Sequence, residues 1–159
     1  MKICFVCQGN IIRSPLAENI FRQMAEEGGL SEKYHLDSAG TSAYHVGEAP
    51  DRRMRQVAAE HGFNYSGRAR QFWREDLETY DLILVMDQNN RRILESMVQD
   101  SSQAKKIHMM REFDLQSGED LDVPDPYYGG LEGFEVTFQI VKRSCEGLLE
   151  ALESGRYTS

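Results

Sequence analysis

Short apolar runs alternate with longer amphipathic stretches along this chain, and that alternation limits its fold more than any other feature. Residues 2–6 read as a buried strand, and residues 34–38, 81–86 and 106–109 read as three more. Leu82-Ile83-Leu84-Val85-Met86 shows no polar alternation, the pattern of a strand covered on both faces of a parallel sheet. The first helix opens at Ser14-Pro15, where proline suits the first turn. It repeats Leu16, Ile20, Phe21 and Met24 at helical spacing and ends at Gly28-Gly29. Further helices are expected over residues 50–61, stopped by Gly62, over 88–98, and over 133–153. In the last of these Phe134, Phe138, Val141, Cys145, Leu148 and Leu149 share one side. Strand and helix in turn predict an α/β fold, a single domain over residues 1–159 with a central four-stranded parallel sheet and helices on both faces. Such sheets bind ligands beyond the carboxyl ends of their strands. Two segments fall there: residues 7–14 after the first strand, and Asp87 after the third.

Hydrophobic residues make up 40 % of the 159, enough to bury one sizeable core. The formal net charge of -8 disfavours nucleic acid and anionic membrane as partners. Cys4, Cys7 and Cys145 are too few for a disulfide framework and fit a reducing compartment. No metal or cofactor pattern is visible, and His35, His45, His61 and His108 are scattered enough to read as surface or packing residues. No stretch is long enough to span a membrane, and the apolar N-terminal run is too short for a signal peptide. A cytoplasmic protein is the expectation.

The segment Cys7-Gln8-Gly9-Asn10-Ile11-Ile12-Arg13-Ser14 joins a strand end to a helix start. There, successive backbone N–H groups can point inward and cradle a phosphate, helped by the helix dipole. Gly9 permits the partly left-handed backbone of such a cradle, and Asn10 also tolerates it. Arg13 offers a planar fork for two phosphate oxygens. The dipole and Arg13 both favour a thiolate at Cys7, and Ser14 can donate a hydrogen bond to the sulfur. A second candidate group lies late in the chain. Pro124 and Pro126 hold Asp125 in an extended segment, which suits a carboxyl group presented over a pocket. Asp114, Asp120 and Asp122 are rivals on the same grounds of proximity.

These motifs resemble the low-molecular-weight protein tyrosine phosphatases, which carry Cys-x5-Arg-Ser near the N-terminus and Asp-Pro-Tyr-Tyr-Gly late in the chain. The second motif stands here as Asp125-Pro126-Tyr127-Tyr128-Gly129. The likeness continues through Asp37-Ser38-Ala39-Gly40-Thr41, Tyr44-His45-Val46-Gly47, Arg68-Ala69-Arg70-Gln71 and Met86-Asp87, over nearly the whole chain. The resemblance implies that Cys7 attacks phosphorus, that Arg13 and the loop of Gln8, Gly9, Asn10, Ile11, Ile12 and Ser14 bind the phosphate, and that Asp125 is the general acid and base. It implies pocket walls from Tyr44, Tyr127 and Tyr128, and support from Ser38 and Asp87, the latter holding Arg13, capping the next helix, or both. The implied substrate is a phosphotyrosine-containing protein, with a tyrosine kinase as a candidate partner, inorganic phosphate as product, and no cofactor.

The chain also departs from the family. Many relatives have Trp in place of Tyr44, and in some a histidine supports the loop at the position of Gly67. The family usually has a second cysteine where this chain has Ile12, a thiol that traps an oxidised nucleophile as a disulfide. Cys7 is therefore expected to oxidise irreversibly, because Cys4 lies in the first strand and faces the core. Two rival activities share the scaffold. An arsenate reductase would need cysteines between Cys7 and Cys145, where there are none. A protein-arginine phosphatase resembles relatives with Thr in place of Ile11, and the branched apolar residue favours a phenyl ester.

Overall fold

The computed structural model describes residues 1–157. In chain order the elements are β1 (Lys2–Cys7), α1 (Arg13–Glu27), β2 (His35–Gly40), α2 (Arg52–Glu60), α3 (Asp76–Thr79), β3 (Leu82–Val85), α4 (Gln88–Glu95), α5 (Ser101–Ala104), β4 (Ile107–Met109) and α6 (Leu131–Glu153). A 3-10 turn, Met110–Phe113, follows β4. The sheet is four-stranded and parallel, in the order β2-β1-β3-β4. The expected α/β architecture is the observed one.

The two-residue period of the strands divides the core. Ile3, Phe5 and Cys7 of β1, with Leu82 and Leu84 of β3, face the larger layer, which α1, α2 and α6 complete. Cys4 and Val6 point to the other face, with Ile83, Val85, Ile107, Met109 and Leu94 of α4. With partners on both sides, β1 has no solvent-exposed residue after Lys2.

Element ends moved where capping chemistry decides them. Asp51 stays outside α2, and its carboxylate accepts from the N–H groups of Arg53 at 2.8 Å and Met54 at 3.3 Å. The helix therefore starts two residues after Pro50. Asp87 caps α4 through Asn90 N–H at 2.8 Å, and that helix stops at Glu95, short of residue 98. β2 runs on to Gly40, because the phosphate-loop end of β1 continues to pair with it, Cys7 against Gly40. α6 starts at Leu131, two residues early.

Asp114 pins the segment after β4 to α6. Its buried carboxylate accepts from Arg143 Nε at 3.0 Å and Nη2 at 3.1 Å, from Arg111 Nε at 3.2 Å, and from Gln116 N–H at 3.0 Å. Burial alone would raise its pKa, but the bonds from Arg143, Gln116 and Arg111 outweigh burial and hold it below the usual carboxylate value. A depressed folded-state pKa stabilises the fold above the unfolded-state pKa, and that stability is lost as pH falls through the folded value. Asp114→Asn should cost about 3 kcal/mol at neutral pH. The gap between wild type and variant should close as pH drops below about 4, and urea denaturation across pH measures it. A gap that stays constant down to strongly acid pH would contradict the assignment.

α6 crosses the 3-10 turn at Gly147, where an added Cβ would penetrate the van der Waals radius of the Phe113 carbonyl oxygen. Helix propensity favours alanine over glycine by about 1 kcal/mol. Here overpacking against backbone should win. Gly147→Ala should lower stability by about 1–3 kcal/mol, read as a lower urea midpoint. An unchanged or higher midpoint would refute the close approach.

Candidate active site

The loop after β1 closes over the sulfur of Cys7, which is only 2 % exposed. The Sγ atom lies 3.0 Å from Ser14 Oγ and accepts from Asn10 N–H at 3.3 Å. Asn10, not Gly9, takes the left-handed backbone, with φ 56°. Gly9 is needed for space instead. A Cβ there would come 2.9 Å from His45 Cδ2. Gly40 is required for the same kind of reason, since its Cβ would lie 2.7 Å from the Gln8 carbonyl oxygen.

The loop's carbonyl groups turn outward to fixed donors. Cys7 O accepts from Thr41 N–H at 2.9 Å, Gln8 O from Ser42 N–H at 3.0 Å, and Ile11 O from Asp51 N–H at 2.7 Å. The N–H groups of Gln8, Gly9, Ile11, Ile12 and Arg13 donate to no protein atom among the described residues. That is the arrangement an anion cradle requires.

The orientation of every group behind the loop follows from two fixed ends. Arg70 N–H donates to Asn10 Oδ1 at 3.0 Å, so the amide must turn its NH₂ the other way. That NH₂ donates to Ser14 Oγ at 2.8 Å and Ser38 Oγ at 3.0 Å. Ser38 in turn donates to the Glu18 carboxylate at 2.6 Å, which Arg22 holds at 2.6 Å. Ser14, having accepted from Asn10, can give its own proton to Cys7 Sγ. Asn10, Ser14 and Ser38 thus meet as expected. Gly67 sits in open space with φ 145°. Glu18, which the sequence reading missed, anchors the far end.

Arg13 is buried, and its Nη1 donates to Asp87 Oδ2 at 2.7 Å and to the Val123 carbonyl at 2.9 Å. Asp87 therefore fills both roles considered for it, with one oxygen on Arg13 and the other capping α4. Burial opposes the Arg13 charge, but Cys7, Asp87 and Asp125 outweigh it and raise the guanidinium pKa.

Asp125 stands across from the loop, its Oδ2 3.5 Å from Arg13 Nη2 and its Oδ1 accepting from Tyr127 N–H at 3.0 Å. The segment is tied on both sides, by Val123 N–H to Met86 O at 2.7 Å and by Thr137 Oγ1 to Pro124 O at 3.0 Å. The rival aspartates are occupied elsewhere. Asp114 is buried between arginines, Asp120 lies 3.6 Å from Arg111, and Asp122 accepts from Gln88 N–H at 3.0 Å.

Cys7, Arg13 and Asp125 share one cavity of about 480 Å³. Ile11 and Ile12 also line it, and an aromatic collar surrounds its mouth. Tyr44 packs edge-on to His45 at 4.7 Å between centroids, His45 lies 6.2 Å from Tyr127, and Tyr127 packs edge-on to Tyr128 at 4.9 Å. Of the three tyrosines, only Tyr127 is partly buried. Tyr44 and Tyr128 stand on the rim, 84 % and 97 % exposed. His45 packs between two of these rings, as the reading of the histidines allowed, and it also lines the cavity, with its Nδ1 2.8 Å from the Glu48 carboxylate.

Cys4 is buried on the opposite face of the sheet from Cys7. Three residue rises along the strand separate their Cα atoms by about 10 Å, beyond the roughly 7 Å a disulfide can span. Among the described residues, no group of three or more His, Cys, Asp or Glu side chains could hold a metal, and no helix is long and apolar enough to cross a membrane.

Comparison with known proteins identifies the family. The family described as low molecular weight phosphotyrosine protein phosphatase matches residues 2–157. A low molecular weight protein-tyrosine-phosphatase of Streptomyces coelicolor is 42 % identical over 152 residues, covering 95 % of this chain and 93 % of that one. The human low molecular weight phosphotyrosine protein phosphatase is 40 % identical over 149 residues, covering 93 % of each chain. The crystal structure of a protein tyrosine phosphatase from Entamoeba histolytica superposes with a TM-score of 0.93 at 38 % identity, covering 99 % of both chains. The chain belongs to the low molecular weight phosphotyrosine protein phosphatase family.

Proposed function

We propose that this protein is a protein-tyrosine phosphatase that works through a phosphocysteine on Cys7. The observation that carries this reading is the convergence of a buried thiol, a buried arginine and a half-exposed carboxyl group on one aromatic-rimmed cavity. The Cys7 thiolate attacks phosphorus as the bond to the tyrosyl oxygen breaks. The free loop N–H groups and Arg13 hold the three equatorial oxygens as charge spreads over them. Asp125 gives its proton to the departing phenolate, then takes one from the water that attacks the phosphocysteine. Ser14 stabilises the sulfur as it leaves, and inorganic phosphate is released.

The depth of the site selects the substrate. Cys7 lies at the bottom, beneath Ile11 and Ile12 and beside the packed ring of Tyr127. A phenyl ring spans that depth and meets apolar and aromatic walls, whereas a phosphoserine side chain is too short to do so. The substrate is a protein phosphotyrosine, a tyrosine kinase is a candidate partner, and three free thiols suit the cytoplasm. The arsenate-reductase rival lacks a thiol within reach of Cys7 along β1, and Cys145 is fully buried in α6.

With an aryl phosphate as substrate, Cys7→Ser should show no turnover, and Asp125→Asn should be slowed by roughly 10²–10⁴-fold. Phosphoarginine peptide hydrolysed faster than phosphotyrosine peptide would move the assignment to the arginine-phosphatase alternative. Peroxide should inactivate the wild type beyond recovery by thiols, as Cys7 passes sulfenic acid without a trapping partner. Ile12→Cys, which places a thiol in the same loop, should restore recovery. Full rescue of the wild type, with a Cys4–Cys7 disulfide seen by mass spectrometry, would reject that account of its redox behaviour.

A further inference from the structure

Asp125 is held more loosely than the loop it serves. Its side chain is 43 % exposed, its contact with Arg13 is long at 3.5 Å, and its closest partner is the backbone N–H of Tyr127 at 3.0 Å. The orientation of the carboxyl group therefore depends on where Tyr127 sits. After Tyr127 the chain offers little more anchorage, because Tyr128 is 97 % exposed and Gly129 and Gly130 lead into α6. The ring of Tyr127 is the last packed side chain of the segment before that helix.

Beside His45 and the exposed ring of Tyr128, the Tyr127 ring packs against Arg53. The guanidinium carbon lies 5.4 Å from the centroid of Tyr127 and 4.6 Å from that of Phe134 in α6. Asp51 fixes the guanidinium, accepting from Nε at 3.3 Å and from Nη2 at 3.0 Å. The same Asp51 carboxylate caps α2, and its backbone N–H reaches Ile11 O in the phosphate loop at 2.7 Å. A continuous brace thus runs from the loop through Asp51, Arg53 and Tyr127 to Asp125, across 74 positions of sequence between Asp51 and Asp125. Arg53 itself does not line the cavity.

We propose that Arg53 is a positioning residue for proton transfer, which sets Asp125 over the leaving-group oxygen by fixing the ring of Tyr127 to the phosphate loop. The proposal rests on the reading of Asp125 as the general acid. It separates two jobs at this site. The loop holds the phosphate through its own N–H groups and needs nothing from Arg53. The acid segment is tied before Asp125, at Val123 and Pro124, and the brace fixes its side-chain packing after Asp125, at Tyr127. The planar fork matters, because one face must meet an aromatic ring while two edges meet a carboxylate. A lysine supplies the charge but not that geometry.

The test is the dependence of kcat/KM on the acidity of the leaving group across a series of aryl phosphates. An activated leaving group such as dinitrophenolate departs without a proton, and an unactivated phenolate does not. Arg53→Met keeps the apolar stem and removes the fork. It should lower kcat/KM for the unactivated ester by about 10²-fold, the order expected for a misplaced acid, and leave the activated ester within about threefold. Inhibition by inorganic phosphate should be unchanged. Arg53→Lys should show the same selective loss with a smaller amplitude, and it provides the readout if the Met variant does not fold. Arg53→Met combined with Asp125→Asn should be no slower on the unactivated ester than Asp125→Asn alone. Equal loss on both esters, or no loss on either, would overturn the positioning role. Asp125→Asn in the wild-type background is the independent control. If that variant shows no selective loss on unactivated esters, the acid is not Asp125 and the underlying reading fails. If it does and the Arg53 variants do not, only the brace fails.

Discussion

A loop that points its N–H groups at a bound anion must find partners for its carbonyl groups elsewhere, since a buried, unpaired backbone oxygen is costly. That constraint organises the surroundings of Cys7. Thr41 and Ser42, just past β2, take the carbonyls of Cys7 and Gln8, and Asp51, at the head of α2, takes that of Ile11. Gly40 is the residue that lets the strand end come close enough to do this, against Gln8 O and Asn10 N. The order β2-β1-β3-β4 places β1 beside β2, whose end supplies two of these partners, with Asp87 after β3 holding Arg13 on the other side. The sheet topology is therefore the support of the loop as well as the core of the fold.

Charge is handled by the same economy. The chain carries a net charge of -8, yet its site must gather a dianion. In the proposed function one buried arginine does this, and it needs partners to be tolerated in the interior. Asp87 and the Val123 carbonyl hold Nη1, which leaves the remaining face of the guanidinium toward the cavity and Asp125. Asp87 splits its two oxygens between Arg13 and the cap of α4. Losing Asp87 would therefore loosen a helix and the buried Arg13 side chain at once.

Much of this was legible in the chain before any coordinates. The alternation of apolar runs gave the parallel sheet, and a cysteine and arginine between the first strand and first helix gave the cradle. What remained hidden acts through partners distant in sequence. Glu18 joins the site through Ser38, 20 positions away. Arg53 reaches it through Tyr127, and His45 through an edge packed over Gly9. None of these has a local pattern that distinguishes it from a surface residue. The residues alone left Asp125 among four nearby aspartates, and it was the family resemblance that picked it out. Only packing shows that Asp114, Asp120 and Asp122 are already engaged. Which of Gly9 and Asn10 would take the left-handed backbone was likewise undecidable from residue type, because both tolerate it.

The uneven rigidity of the two halves of the site has a chemical reason. In the proposed mechanism the phosphate passes through both steps bound to one set of donors, so a cradle held by three backbone carbonyl bonds and a chain of side-chain bonds needs no reorganisation between them. In the mechanism proposed above, Asp125 does a different job in each step. It first meets a phenolate oxygen, and then a smaller water in the space the phenol has left. A carboxyl group clamped as tightly as Asp87 would serve one geometry and miss the other. Holding Asp125 through a backbone N–H and a stacked ring restrains the segment without locking the carboxyl group itself. The partial exposure of Asp125 and the glycines that follow Tyr128 are what that compromise requires.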